Sequence, residues 1–125
     1  MLSNYRIKAF VSTVQPSVAL EFYEKKLGLY LLSQDKYGME FEANEAHIRL
    51  SVVDKLTPQP FTVLGWETDD IVSTISSLTA NGIKIERYNF IEQDENGIWT
   101  APGGIRVAWF KDPDGNLLSV SDTVT

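Results

Sequence analysis

The chain has no cysteine and a single histidine, His47. The first absence excludes disulfides, thiolate nucleophiles and cysteine-bound zinc. The second leaves only one imidazole for metal binding or proton transfer. Nothing approaches the ~18 consecutive apolar residues that a membrane-spanning helix needs. Residues 1–8 lack the apolar stretch of a secretory leader, so a cytoplasmic location is expected. No cluster of lysine or arginine stands out, and 11 basic residues against 17 acidic ones give a formal net charge of −6. A nucleic-acid partner is therefore not expected, and neither is a membrane partner. There is no glycine-rich phosphate loop, because Gly103-Gly104 is a lone pair that reads as the lead into a strand. No serine is placed in sequence to work with His47 as nucleophile and base.

What is present describes a packed fold. Of 125 residues, 43% are hydrophobic and 11% aromatic, enough for a substantial core in one compact domain. The chain also reads as a unit written twice. Phe22 to Leu29 closes one helix-then-strand unit, and Leu78-Thr79-Ala80-Asn81-Gly82-Ile83 closes another. An internal repeat constrains a fold more than any single residue does. Residues 1–54 form the first module, 55–60 a linker with Pro58 and Pro60, and 61–125 the second module.

The periodicity supplies the elements. Tyr5 to Val14 predicts a strand, and Pro16-Ser17 starts a helix that Gly28 stops. Strands are expected at 29–33, 39–42 and 47–53. In the second module, Phe61 to Thr68 predicts a strand. Asp69-Asp70 caps a helix whose Ile71, Ile75 and Leu78 form an apolar stripe. Ile83 to Ile91, Ile105 to Phe110 and Leu117 to Ser121 then predict three more strands. The order is βαβββ twice.

Strand alternation sorts the side chains by face. Ile7, Ala9 and Val11 oppose Lys8, Phe10 and Ser12. Met39 and Phe41 oppose Glu40 and Glu42, while Ile48 and Leu50 oppose His47, Arg49 and Ser51. With the apolar faces against the helices, Lys8, Phe10, Glu40, Glu42, His47 and Arg49 share the other face. Trp109 has the same parity as these polar residues, and Trp66 the opposite one, which reads as core. Trp99 and Trp109, with Phe10, are expected to stack on a planar or hydrophobic ligand.

The run Phe110-Lys111-Asp112-Pro113-Asp114-Gly115-Asn116 is a turn. Pro113 presets φ, Asp114 and Gly115 suit turn geometry, and Asn116 caps the local backbone, so Asp112 and Asp114 read as turn residues. With Arg106 before it, with Ala19, Phe22-Tyr23 and Leu27-Gly28, and with Asp70-Ile71, Leu78 and Gly82, the chain resembles the vicinal-oxygen-chelate superfamily. That group includes glyoxalase I, extradiol dioxygenases and bleomycin-resistance proteins. The likeness covers nearly the whole chain. It implies an α+β fold in which two βαβββ modules form a cupped mixed sheet, with helices outside and a ligand in the cleft.

Metal enzymes of this superfamily hold a divalent ion with His, Gln and Glu side chains from the strands. The resemblance puts those positions at Lys8, at Val63 (Leu64 if the register slips by one) and at Ser119. An ammonium repels a cation, an alkyl group has no lone pair, and one hydroxyl is a weak ligand. The resemblance therefore implies a small-molecule-binding protein without a metal cofactor, similar to the bleomycin-resistance branch, that does no chemistry on its ligand. Lys8, Phe10, Glu40, Glu42, His47, Arg49, Trp99, Trp109 and Ser119 are the expected ligand-binding residues. The ligand would be cationic or aromatic, and the family habit implies a homodimer. The alternative is a lyase, isomerase or dioxygenase with one divalent ion on His47, Glu40 and Glu42. A third reading is a protein-interaction module with a filled cleft.

Overall fold

A computed structural model describes residues 1–123. The chain divides into two compact units, Met1–Pro58 and Gln59–Thr125. Both carry a four-stranded mixed sheet, so the fold is α+β as expected. No helix among the described residues is long and apolar enough to cross a membrane.

In the first unit, strand β1 (Lys8–Thr13) leads to helix α1 (Pro16–Glu21) and then to strands β2 (Tyr30–Asp35), β3 (Gly38–Ala43) and β4 (Ala46–Val52). Pro16 sits in the first turn of α1, where a missing N–H costs nothing. The helix widens into a π-helical stretch over Phe22–Lys26, which seats Phe22 and Tyr23 edge to face and buries both. Gly28 then turns the chain at φ 73°. The strand order is β1-β4-β3-β2, with β1 parallel to β4 and the other pairs antiparallel. Val11, Met39, Phe41, Ile48 and Leu50 are buried on one face with Ala19, Phe22 and Tyr23. Alternation therefore places Lys8, Glu40, Glu42, His47 and Arg49 on the opposite face. Asn44 and Glu45 both have positive φ, 46° and 73°, the geometry of a tight hairpin turn. That turn pairs Ala43 with Ala46 and so fixes the register between β3 and β4.

In the second unit, β5 (Leu64–Glu67) is followed by α2 (Ile71–Ala80), β6 (Trp99–Thr100), β7 (Ile105–Lys111) and β8 (Leu117–Thr123), in sheet order β5-β8-β7-β6. Asp70 caps α2, its Oδ1 accepting from Ser73 N at 3.2 Å. The predicted stripe of Ile71, Ile75 and Leu78 is buried. Ala108, Phe110, Leu118 and Val120 fill the buried face of the sheet, and Trp66 stacks on Phe110 at 6.5 Å. The Asp112–Asn116 turn is closed by Asp112, whose Oδ1 accepts from Asp114 N and Asn116 N.

One expected strand is not formed. Residues 83–91 make a single bridge, Ile85 to Phe110, in place of a ladder. Side chains hold this segment instead. Gln93 accepts from Tyr88 N and donates to Glu86 O and Gly97 O. Arg87 forks onto Asp94 O and Glu95 O at 2.7 and 2.8 Å. These bonds satisfy backbone groups that a strand would have paired, so an irregular loop is a stable alternative.

Candidate functional site

The polar face of the first sheet is built by strand register. Lys8 lies opposite His47, which lies opposite Glu42; Phe10 lies opposite Arg49, which lies opposite Glu40. Glu40 reaches across these rows. Its Oε1 is 3.0 Å from Lys8 Nζ, and its Oε2 is 2.9 Å from His47 Nδ1. An ionised carboxylate only accepts, so Nδ1 carries the ring proton in that bond. His47 Nε2 is 3.7 Å from Glu42 Oε2, and Arg49 is 3.5 Å from Asp35 Oδ1. The Lys8 ammonium first, and then the His47 ring, hold the Glu40 carboxyl below its ordinary value of 4.5, against the opposing effect of desolvation.

The arrangement is a network of compensated charge. Lys8, Glu40, Glu42 and His47 are brought together, with Arg49 beside them on the same face. Phe10 is exposed next to Arg49. No group of three His, Asp or Glu side chains among the described residues is arranged to hold a metal ion. Within the alternative set, both Glu40 oxygens already bind cationic or N–H partners. The metal-ligand positions that the resemblance implies carry Lys8, Val63 (or Leu64) and Ser119, residue types that do not fit a divalent cation. Ser119 instead lies across from Trp109 on β7 and from Gly65 on β5. A Cβ on Gly65 would come within 2.6 Å of Ser119 Oγ, so the hydroxyl rests over the glycine backbone.

The tryptophans belong to a different feature, contained within the second unit. Trp99 pairs with Val107 on the neighbouring strand, which makes Trp109 its diagonal neighbour. The indole centroids are 6.1 Å apart at 34°. Tyr88 meets Trp109 edge to face at 5.9 Å, and Phe90 meets Tyr88 at 5.3 Å. Together with Phe61 these rings wall a hollow of about 370 Å³. Pro60, Ile91 and Leu117 complete its apolar lining, and Thr62 supplies the one aliphatic hydroxyl. Burial, with a smaller effect from Glu86, pushes the Tyr88 phenol above its ordinary 10.0, so it stays protonated at neutral pH.

Phe61, Tyr88, Phe90 and Leu117 were not among the expected site residues. The spacing of Tyr88 and Phe90 put them on one face of an assumed strand, but a sequence gives no sign that Gln93 and Arg87 would fold that stretch into a loop.

The comparisons agree with this architecture. The sequence model of the Glyoxalase/Bleomycin resistance protein/Dioxygenase superfamily matches residues 7–120. The chain therefore belongs to that superfamily, as the resemblance indicated. No curated protein matches it. Among solved structures it is similar to a member of the same superfamily from Sphaerobacter thermophilus, with TM-score 0.74, 22% identity, and coverage of 94% of this chain and 96% of that one. It is similar to a lactoylglutathione lyase from Agrobacterium tumefaciens, with TM-score 0.73, 16% identity, and coverage of 94% and 92%. An integron cassette protein from V. cholerae gives TM-score 0.65 at 24% identity, with coverage of 94% of each chain. At these identities the likeness is one of fold.

Proposed function

We propose that this protein binds a small organic molecule in the hollow between Trp99, Trp109, Tyr88, Phe90 and Phe61, and that it does so without a metal ion. The observation that carries the proposal is the lining: a hollow of about 370 Å³ with five aromatic walls and a mostly apolar surface. That size lies at the small end of ligand pockets, roughly 300–1,000 Å³, which are mostly apolar with a few polar groups for orientation. The residue types at Lys8, Val63 and Ser119 support the metal-free part of the reading. We also propose a homodimer, the association the superfamily resemblance implies.

The test is a thermal-melt screen of small organic compounds on protein purified without an affinity tag, run with and without chelator. Elemental analysis is made on the same preparation. The proposal expects melt shifts that chelator leaves unchanged and metal well below one ion per chain. Stoichiometric metal with a chelator-sensitive melt would contradict it and return attention to His47.

A further inference from the structure

The chemistry of the hollow narrows its ligand beyond the reading on which this inference rests. Charged groups on the polar face of the first sheet pair with one another. Glu40 is neutralised by Lys8 and hydrogen-bonded to His47, and Arg49 faces Asp35. In the second unit, Glu86 is the carboxylate that acts electrostatically on Tyr88, but it lies 3.8 Å from the Lys111 ammonium and does not line the hollow. Among the described residues, no Asp, Glu, Lys, Arg or His side chain lines it.

An ion entering such a site surrenders its water and meets no opposite charge. For an anion, the ring faces are themselves repulsive, since the π-cloud is negative. For a cation, the ring faces return part of what is lost, but without a carboxylate to complete it. A neutral planar ring loses little on leaving water and gains stacking area on the two indoles. Thr62 and Tyr88 are the lining residues that carry a hydroxyl able to orient one polar substituent, and burial holds the Tyr88 phenol above its ordinary 10.0, a donor at neutral pH.

We infer that the ligand of this hollow is a neutral, planar aromatic molecule bearing one small hydrogen-bonding group. This narrows the expected cationic or aromatic ligand to a neutral aromatic one.

Three probes that share a ring system and differ in charge test it: naphthalene-2-methanol, (naphthalen-2-ylmethyl)trimethylammonium and 2-naphthoate. Each is titrated calorimetrically into the full chain and into Phe90→Ala. Phe90 is 76% exposed, so its truncation leaves the fold intact while removing one wall. The expected result is that the neutral probe binds about tenfold or more tighter than either ion, a difference near 1.4 kcal/mol, and that Phe90→Ala weakens it severalfold. Equal or tighter binding of the ammonium probe would overturn the neutral assignment while leaving the binding-site reading standing. Binding of the neutral probe that Phe90→Ala does not change would place the ligand elsewhere and overturn the inference. Failure of all three probes to bind would overturn both.

Discussion

Glu40 Oε1 and Lys8 Nζ stand 3.0 Å apart on the polar face of the first sheet, one strand beyond direct register. The Lys8 side chain keeps 46% of its exposure. Water therefore screens the pair, and such exposed pairs contribute about 0–1 kcal/mol. A double-mutant cycle on Lys8→Met and Glu40→Gln, followed by urea unfolding, is expected to give a coupling in that range. A coupling of several kcal/mol would mean that Lys8 is far less hydrated than its exposure indicates.

The same carboxylate predicts a pH dependence. Its pKa in the fold lies below its ordinary value of 4.5. A depressed carboxylate contributes stability above its unfolded pKa and loses it as pH falls through the folded one. The stability gap between the native chain and Glu40→Gln should be flat at neutral pH, then shrink below about pH 4.5. Urea midpoints across a pH series check this. A gap that widens on acidification would reverse the sign of the argument.

Asp122 is a buried carboxylate of the second unit, at 3% exposure. Its two oxygens accept from Arg106 at 2.8 and 2.7 Å, and Oδ2 also accepts from Ile71 N at the start of α2. The Arg106 guanidinium holds its carboxyl below the ordinary 3.8. Asp122→Ala strands both a cation and a helix N–H, and about 3 kcal/mol of destabilisation is expected, the low end for breaking a buried pair. Asp122→Asn keeps an acceptor for Ile71 N and should cost less. Equal losses in the two variants would assign the whole effect to Arg106.

Gly38 pairs with Ser51 on β4, and an added Cβ there would run into the Leu50 carbonyl oxygen. Because that obstacle is backbone, the ladder must shift to admit it. Gly38→Ala is expected to lower stability by about 1–3 kcal/mol. Unchanged urea unfolding would show that β3 and β4 are looser than their register implies.

Much of this was readable from the sequence because strands write their faces as alternation. Val11, Phe41, Ile48 and Leu50 went to the core, and Lys8, Glu40 and His47 to the other face, as the two-residue period required. The helix caps and the Asp112–Asn116 turn were local signals and were formed where expected. The hollow was half legible. Trp109 was placed by parity. Tyr88 and Phe90 were not, because their segment looks like a strand. Its loop depends on Gln93 and Arg87 bonding distant carbonyls, a tertiary choice that no local pattern announces. Cross-strand pairing of the glutamates with His47 is legible from alternation, but the Lys8–Glu40 contact is not, since it depends on a diagonal reach across three strands.

The measurement that tests the central claim most directly follows the indole N–H resonances of the three tryptophans by NMR while naphthalene-2-methanol is added, with chelator present throughout. Trp99 and Trp109 wall the hollow, and the half-buried Trp66 stacks on Phe110 on the opposite face of the sheet. The account predicts that the Trp99 and Trp109 signals move together and saturate while Trp66 stays in place. Signals that remain still, or that respond only once a divalent metal is supplied, would contradict it.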